Sequence, residues 1–407
     1  MLDENQLLCD LFTAYYDARR HKRSTMNQLK FEINYEHNLV TLLKDLCDGT
    51  YRIRPSICFI VTDPVKREIL AADFRDRVIH HLLYNYINPL FEQVFVEDSY
   101  SCRKEKGTLY GIKRVESFIK ECSQHYTTDC YVLKLDIRGY FMNINKEILS
   151  TQIKSQINSI RDQGIACNAP ALDWDLIFKL IDQVVWDDPT DYCIIKGKRS
   201  NWDGLPPSKS LFGTPKGCGL PIGNLTSQLF SNVYLHPFDD YMKHTLGLKY
   251  YGRYVDDFVV VHEDKEFLKE VKCKATVFLK EQLGLDLHPD KIYLQHHSKG
   301  VKFLGAYLKP GRKYVAKRTK TKFVQCVNRW EHCLATQKNL TSDELKNMRA
   351  GINSYLGLLR HYETYNLRHK YLLKGAKNAA PLFFNYGVIH VKNKKMTFFL
   401  HKFEKNT

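Results

Sequence analysis

Residues 248–262 read LKYYGRYVDDFVVVH, a pair of acidic residues between two apolar runs. Apolar runs of this length and composition, joined by a short polar connection, are typical of the two strands of a β-hairpin. Asp256 and Asp257 would then lie in its tight turn. Buried carboxylates without a partner cost free energy, so the pair indicates either a simple turn cap or a functional site.

A further strand is predicted at Tyr131–Ile137, where the sequence YVLKLDI alternates towards Asp136. Either acidic site alone is more often a turn cap than a ligand. At the ends of adjacent strands, however, Asp136, Asp256 and Asp257 together would form a set of hard oxygen ligands suited to Mg²⁺. Two such ions about 4 Å apart can activate a 3′-hydroxyl and stabilise a leaving pyrophosphate.

The remaining patterns indicate an α+β protein, with strands early and in the middle of the chain and a helical C-terminal region. A helix is predicted at Lys265–Leu283, followed by a strand near Ile292 and the apolar run Val301–Leu308. Residues 160–218 read as an elaboration that contains one amphipathic helix. The residues predicted to share its apolar face are Trp174, Ile177, Phe178, Ile181 and Val185.

The charge of the 407-residue chain is concentrated at one end. The formal net charge is +16, and residues 310–407 hold 20 Lys and Arg against 5 Asp and Glu. Such a segment suits a polyanion such as nucleic acid, although a basic helix face that aids solubility is the simpler alternative.

Twelve cysteines without a C-x-x-C pair predict reduced, mostly buried thiols. With no signal-peptide or membrane-spanning pattern, a cytoplasmic protein is expected.

Six segments follow one another in the order of the blocks of reverse transcriptases, and the chain resembles that family from about Lys66 to Leu308. They are KREILAADFRDR, YVLKLDIRGYF, GLPIGNLTSQ, YVDD, LGLDLHPDK and KFLGAYL. The resemblance implies an RNA-directed DNA polymerase with a right-hand fold of fingers, palm and helical thumb. The implied parts are 1–105 (N-terminal region and fingers), 106–144 (first part of the palm), 145–215 (fingers and insertion), 216–308 (rest of the palm) and 309–407 (basic thumb and C-terminal region).

The resemblance also assigns roles to residues that match the family's motifs. Asp136 and Asp256 would bind two Mg²⁺ ions, for which Mn²⁺ is a possible substitute, together with Ile137 and with Asp257 as the third carboxylate. Lys291 would protonate the leaving pyrophosphate, unless it is merely an exposed turn residue. The residues expected at the incoming nucleotide are Lys66, Arg67, Phe141, Ile222, Gly223, Gln228 and Tyr254. Those expected on the primer–template backbone are Arg312, Lys313, Lys317, Arg318, Lys320, Lys322, Arg360 and Arg368.

Three of these nucleotide residues have their own structural alternatives. Phe141 lies where the family places a bulky side chain that excludes a 2′-hydroxyl, but it would also serve as a core residue. Lys66 and Arg67 would grip nucleotide phosphates as charge-assisted donors, and the alternative, stronger for Lys66, is a solvated surface. Gly223 would allow the backbone to approach nucleotide and template closely.

The sequence departs from the usual family pattern at one motif. Most reverse transcriptases have Gln-Gly-x-x-x-Ser-Pro where this chain has IGNLTSQ at residues 222–228. Ile222 and Gln228 lie where base-pair geometry is checked, so relaxed fidelity is expected. IGNLTSQ resembles the motif of reverse transcriptases from diversity-generating retroelements. The resemblance extends to SYSCRKEKGT (99–108), SNWDGLPPSKSLF (200–212) and SYLGLLRHYETYNLR (354–368).

Membership in that group implies a specific activity and specific partners. These enzymes copy a template-repeat RNA into cDNA with misincorporation opposite adenines, and the cDNA then diversifies a target gene. The implied partners are template RNA, primer or cDNA, dNTPs and a small basic oligomeric accessory protein. One alternative is a defence-associated or retron-like bacterial reverse transcriptase. The other is a non-catalytic RNA-binding protein, which the three aspartates disfavour because a degenerate site has no reason to keep costly carboxylates.

Overall fold

The computed structural model of the protein describes residues 3–20, 25–63, 65–164, 173–336 and 341–374. Within these ranges the helices are α1 (Glu4–Arg19), α2 (Met26–Glu32), α3 (Tyr35–Cys47), α4 (Phe74–Val94), α5 (Thr108–Cys122), α6 (Tyr140–Asn143), α7 (Lys146–Asp162), α8 (Trp174–Trp186), α9 (Leu225–Asp240), α10 (Lys265–Leu283), α11 (Lys317–Thr336), α12 (Ser342–Leu359) and α13 (Tyr365–Arg368). The strands are β1 (Ile57–Val61), β2 (Arg67–Ala71), β3 (Tyr131–Asp136), β4 (Ile194–Ile195), β5 (Tyr251–Tyr254), β6 (Asp257–His262), β7 (Tyr293–His296), β8 (Val301–Phe303), β9 (Ala306–Lys309) and β10 (Arg312–Val315).

Local polar signals determine where several helices begin and end. The side chain of Asp264 accepts hydrogen bonds from the first turn of α10, and Gly284 ends that helix with a left-handed φ of +63°. Thr341 and Glu344 form a capping box at the start of α12. The predicted bounds of α10, Lys265–Leu283, are confirmed. The residues that cap this helix at both ends are visible in the sequence itself.

Contacts between residues within the chain divide it into two compact units. The first comprises Met1–Val115 and Leu133–Leu294. It holds the sheet β2-β1-β4, in which β1 runs antiparallel to β2 and parallel to β4. The central sheet has the order β5-β6-β3-β7, and β5 and β6 form the predicted antiparallel hairpin. β6 is therefore the neighbour of β3, as the proposed carboxylate set requires.

The second unit comprises Glu116–Val132 and Gln295–Thr407. Its antiparallel sheet has the order β10-β9-β8. Its helical part packs around a hydrophobic cluster of Phe323, Val327, Ile352, Leu359 and Leu372. The helical character predicted for the C-terminal region is confirmed in α11 and α12. Residues 375–407 of the predicted thumb lie outside the described residues.

The predicted amphipathic helix in the elaboration is α8. Ile177, Ile181 and Val185 are buried, while Trp174 and Phe178 are half-buried on its flank. Residues 165–172, which precede this helix, lie outside the described residues. In the part of the chain that the structure describes, none of the helices is long and apolar enough to cross a bilayer.

The cysteines that the structure describes are all free thiols. Cys58 and Cys130 are buried, whereas the other described cysteines are half-buried or exposed. The prediction of mostly buried thiols is therefore wrong. Residue type alone favours burial of cysteine, but at most of these positions the helix or loop turns the side chain towards solvent.

Candidate active site

The β5–β6 hairpin carries its two acidic residues at one end of the central sheet. Tyr254 pairs with Asp257 in the strand register, so Asp256 lies in the two-residue turn between the strands. The neighbouring strand β3 ends at Asp136. The backbone N–H of Ile137 donates to the carbonyl of Asp256 over 3.1 Å and joins the two strand ends. The predicted adjacency of the strands that carry the three carboxylates is therefore confirmed.

Two of the three carboxylates are paired with lysines. The Nζ atom of Lys291 is 2.8 Å from Oδ1 of Asp136, and the Nζ atom of Lys134 is 3.0 Å from Oδ1 of Asp257. Burial raises the pKa of Asp257 to about 6, although the charge of Lys134 acts in the opposite direction. Burial also raises the pKa of Asp256, and the negative charge of Asp136 adds to that rise. Carboxylates whose ionised form is disfavoured in this way gain from a nearby cation.

The chemistry of this donor set fits a hard divalent cation, because carboxylate oxygens are the ligands that Mg²⁺ prefers. Across the described ranges, however, no three His, Cys, Asp or Glu side chains are gathered closely enough to hold a metal ion. The ammonium groups of Lys134 and Lys291 contact the carboxylate oxygens instead. A cation that binds here has to displace them, and the Lys291 side chain, 52 % exposed, can move into solvent.

A buried ion pair between Arg253 and Asp239 lies directly beside the turn. Both side chains are fully buried, and two guanidinium–carboxylate hydrogen bonds measure 2.5 and 2.7 Å. The hydroxyl of Tyr251 donates to the same carboxylate over 2.5 Å. The Arg253 guanidinium also donates to the carbonyl of Val255 over 3.0 Å, and Ser101 Oγ accepts from the Val255 N–H over 3.2 Å. Both backbone polar groups of this turn residue are thus held by side chains from elsewhere.

The hydrogen bonds to Val255 hold a strained residue. Its φ of +56° is left-handed, a conformation that costs a β-branched residue on the order of 1–3 kcal/mol. The conformation persists because Arg253 and Ser101 fix the peptide groups on either side. Neither Arg253 nor Asp239 was predicted from the sequence as a site residue. The available signal was an arginine inside an apolar strand, separated from the acidic pair only by Tyr254 and Val255.

The glycine of the IGNLTSQ motif packs against the edge of strand β2. Gly223 has φ +136°, and a Cβ atom there would lie 3.1 Å from the carbonyl oxygen of Leu70. The Leu70 N–H donates to the carbonyl of Ile222 over 2.9 Å, and the Ala72 N–H donates to Oδ1 of Asn224 over 3.0 Å. Glycine was expected here to allow a close backbone approach, and the approach that the structure shows is to β2.

Two of the predicted phosphate-binding residues differ in their surroundings. The Nζ atom of Lys66 donates to the carbonyl of Asp203 over 2.6 Å. Arg67 is exposed at the start of β2, and its positive charge lowers the pKa of Asp256 against the effect of burial. Arg67 therefore acts electrostatically on Asp256, whereas the Lys66 ammonium is hydrogen-bonded within the protein.

Other predicted nucleotide residues lie around a small hydrophobic cluster and the hairpin. Phe141 and Ile222, both half-buried, pack on the same cluster. Its buried members are Cys58, Leu70, Met142 and Leu211. Gln228 is exposed on α9, and the half-buried Tyr254 has its hydroxyl 3.5 Å from Oγ1 of Thr108. The structure thus places Phe141 and Ile222 on one hydrophobic cluster and shows for Phe141 the packing role that was the alternative to exclusion of a 2′-hydroxyl.

The predicted nucleic-acid-binding residues of the second unit fall into two groups. Those that are exposed are Arg312, Lys317, Arg318, Lys320 and Arg360. Lys322 is half-buried, as is Lys313, which pairs with Glu116 over 2.6 Å. Arg368 is only 4 % exposed, and burial lowers its pKa. Arg368 is therefore an interior residue of this unit, and the expectation that it contacts a phosphate backbone does not fit its position.

Comparisons with known proteins agree with this geometry. The family model described as reverse transcriptase (RNA-dependent DNA polymerase) matches residues 65–308. Protein YkfC of Escherichia coli (strain K12) is 22 % identical over 314 residues, which cover 69 % of this chain and 73 % of that protein. The group II intron-encoded protein LtrA of Lactococcus lactis subsp. cremoris is 20 % identical over 349 residues, or 70 % of this chain. The chain spans about half of the length of LtrA, 52 %.

Solved structures with a similar chain course include two telomerases from yeasts of the genus Candida. The Candida albicans telomerase, in complex with a fragment of telomeric RNA, has a TM-score of 0.46 and 11 % identity. That match covers 91 % of this chain and 68 % of the telomerase. The apo telomerase of Candida tropicalis has a TM-score of 0.47 and 13 % identity, covering 84 % of this chain and 64 % of the telomerase.

Proposed function

The chain belongs to the reverse transcriptase family, and we propose from this premise that it is the RNA-directed DNA polymerase of a diversity-generating retroelement. It copies a template-repeat RNA into cDNA with misincorporation opposite adenines, so that the cDNA diversifies a target gene. The observation that carries the polymerase activity is the meeting of Asp136 with the Asp256-Asp257 turn at one end of the central sheet. The finer assignment is supported by IGNLTSQ at residues 222–228 and the three accompanying segments.

Reverse transcriptases generally use divalent metal ions, and the residues proposed to hold them are Asp136, Ile137, Asp256 and Asp257. These residues would hold two Mg²⁺ ions, or Mn²⁺ as a substitute, whose charge would activate a primer 3′-hydroxyl and stabilise a leaving pyrophosphate. The raised pKa values of Asp256 and Asp257 support this role, because burial disfavours the ionised form of both carboxylates and a bound divalent cation would offset that cost.

The surrounding side chains bind and orient the substrates. Arg67 reaches the triphosphate of the incoming dNTP from β2, as a guanidinium with several donors can. Phe141 lies beside the sugar, where it excludes a 2′-hydroxyl. Lys291 carries a proton on Nζ, next to Asp136, that can pass to the pyrophosphate as it leaves. The partners of the reaction are template RNA, a primer or the growing cDNA, and a small basic accessory protein.

We expect cDNA made by this protein to carry substitutions concentrated opposite template adenines. Ile222 lacks the polar contact that glutamine makes at this motif in most of the family, so selection of the base pair is relaxed. The measurement is sequencing of cDNA from one RNA template of mixed composition, copied with Mg²⁺, dNTPs and the accessory protein. Ile222→Gln is the matched variant, and it should lower the frequency of substitution at adenines while extension continues.

Two outcomes separate the proposal from its alternatives. Faithful copying of adenines would contradict the diversity-generating assignment and favour a defence-associated or retron-like reverse transcriptase. Binding of RNA without any extension would favour a non-catalytic RNA-binding protein. A near-repeat pair in the flanking DNA whose two copies differ at adenines would be the genomic observation that supports the diversity-generating assignment.

Charge reversal of Lys317 and Lys320 to Glu is expected to weaken binding of an RNA–DNA duplex roughly five- to tenfold at 0.1 M salt. Both lysines are exposed at the start of α11, where they can neutralise phosphates without reading sequence. The slope of log K against log salt should decrease by about one for each phosphate that the variant no longer neutralises. Lys274→Glu, at an exposed lysine of α10, is the matched control. An unchanged slope in the double variant would mean that the basic stretch serves solubility instead.

A further inference from the structure

The 199–214 segment, RSNWDGLPPSKSLFGT, has no function assigned by the polymerase chemistry. It is built from short 3-10 turns, Arg199–Trp202, Pro207–Lys209 and Leu211–Gly213, and contains no strand or α-helix. Backbone of this kind has few regular hydrogen bonds of its own, so its position depends on contacts with other parts of the fold. Those contacts lead to three of the motifs expected around the nucleotide.

The first contact is a buried carboxylate on β2. Glu68 is only 1 % exposed. Among the described residues, three groups of the segment donate hydrogen bonds to its carboxylate. They are the indole N–H of Trp202 at 2.7 Å, the hydroxyl of Ser210 at 2.8 Å and the backbone N–H of Leu211 at 2.7 Å. A buried carboxylate is tolerated only when it is satisfied in this way, so β2 and the segment stabilise each other's position.

The residues that flank Glu68 on β2 tie this contact to the nucleotide site. Arg67, on one side, is the residue proposed to bind the triphosphate. Lys66, immediately before β2, donates to the carbonyl of Asp203 and connects the start of that strand to the segment a second time. Movement of the segment away from β2 would therefore remove the contacts on either side of Arg67, although β2 would stay paired with β1.

The second set of contacts reaches the turn that follows Asp136. Gly139 has φ +56°, and a Cβ atom there would lie only 3.1 Å from the carbonyl oxygen of Ser208. Gly219, just before the IGNLTSQ motif, is approached still more closely, because its Cβ would lie 2.6 Å from Cδ1 of Leu211. The segment is therefore packed tightly against the backbone on both sides of the proposed nucleotide site.

The third contact is hydrophobic. Trp202 packs on the cluster that also receives Phe141 and Ile222. Phe141 is the residue expected to exclude a 2′-hydroxyl, and Ile222 is the residue whose identity is expected to relax fidelity. The indole of Trp202 thus packs on the same cluster as both, and its hydrogen bond to Glu68 fixes its orientation.

From these contacts we propose that the 199–214 segment is part of the nucleotide-selecting site, with Trp202 as a positioning residue for Phe141 and Ile222. The Glu68–Trp202 hydrogen bond stabilises the position of Phe141 and Ile222. These two side chains form the surface at which a deoxynucleoside triphosphate is accepted and a ribonucleoside triphosphate is rejected. This inference rests on the proposed polymerase function. It assigns selectivity to a segment that contains none of the catalytic carboxylates.

The test compares single-nucleotide insertion of matched dNTP and rNTP on a primed RNA template. Trp202→Phe keeps an aromatic ring but removes the indole donor, and Ser210→Ala removes a second donor to Glu68. The ratio of kcat/KM for dNTP over rNTP should fall roughly tenfold in Trp202→Phe, because the indole that positions Phe141 and Ile222 loses the hydrogen bond that orients it. It should fall in the same direction in Ser210→Ala, while kcat for the correct dNTP stays within about threefold.

Trp186→Phe is the matched control, because Trp186 is half exposed at the end of α8 and outside the segment. It should leave the ratio unchanged. Equal losses for dNTP and rNTP in both segment variants would overturn the inference, since they indicate a purely structural role. If Trp202→Phe does not fold, the ratio in Ser210→Ala decides. Failure of the wild-type protein to extend any primer would instead overturn the polymerase function and this inference with it.

Discussion

Asp256→Ala is expected to abolish RNA-templated primer extension, with a rate at least about 10³-fold below that of the wild-type protein. The substitution removes one of three carboxylates proposed to hold the divalent ions, and it does so in the turn that meets β3. Loss of several kcal/mol of charge stabilisation in the transition state corresponds to a rate loss of this size. The measurement is extension of a labelled primer on RNA with Mg²⁺, and again with Mn²⁺.

Template binding should survive the same substitution. The negative charge of Asp256 opposes the approach of phosphates, so its removal does not weaken their attraction. Binding of the primed template, measured by anisotropy, is therefore expected to stay within about threefold of wild type. Glu281→Ala, at an exposed carboxylate of α10, is the control for simple loss of an acidic side chain. Extension by Asp256→Ala at more than a few per cent of the wild-type rate would refute the proposed ligand set.

A second variant separates chemistry from folding. Asp256→Asn keeps the shape of the side chain but removes the charge. Burial raises the pKa of Asp256, which means that the ionised form is disfavoured in the folded protein relative to the unfolded chain. At neutral pH the neutral amide should therefore not lower the melting temperature. An inactive and fully folded Asp256→Asn would assign the loss to the site rather than to the fold.

The parts of this site that follow from local sequence were predicted correctly. The β5–β6 hairpin and helix α10 depend on periodicity, caps and turns, which act over a few residues. The neighbourhood of β3 and β6 was expected because three aspartates at adjacent strand ends would form one ligand set, not because of periodicity. A hairpin with an acidic turn is compatible with many sheet orders, and the family resemblance agreed with this one.

The contacts that support the site connect residues far apart in sequence, and the sequence analysis missed them. Glu68 and Trp202 are separated by 134 residues, and each reads as an ordinary surface or core residue by type. Arg253 and Asp239 are charged residues, which are expected at the surface unless their partners are known. Arg368 shows the same effect, because its charge suggested a phosphate contact while the structure buries it. Burial of a charge depends on partners that composition does not reveal.

Arg253→Lys is the second substitution with a large expected effect. A lysine keeps the positive charge opposite Asp239, but its single ammonium cannot make the two carboxylate bonds and also reach the carbonyl of Val255. The strained turn residue then loses one of its two supports. Displacement of reacting groups by about 1 Å costs about 10²-fold in rate, so we expect kcat to fall about 10- to 100-fold. The KM for dNTP and the affinity for template should change less than about threefold, because neither involves this buried residue.

The matched control for this prediction is Arg75→Lys, the same substitution at a buried arginine of α4 that is paired with Asp45 and Asp76. Both variants lose stability, since a buried carboxylate is less well satisfied in each, but only Arg253→Lys should lose kcat. Ser101→Ala removes the acceptor for the Val255 N–H and should reduce kcat in the same direction, by a smaller factor. If Arg253→Lys melts earlier yet turns over at the wild-type rate, the buried pair stabilises the sheet without positioning Asp256. If kcat falls in Arg253→Lys while the KM for dNTP and the affinity for template are kept, a buried residue that never contacts the substrate sets the geometry of the acidic turn.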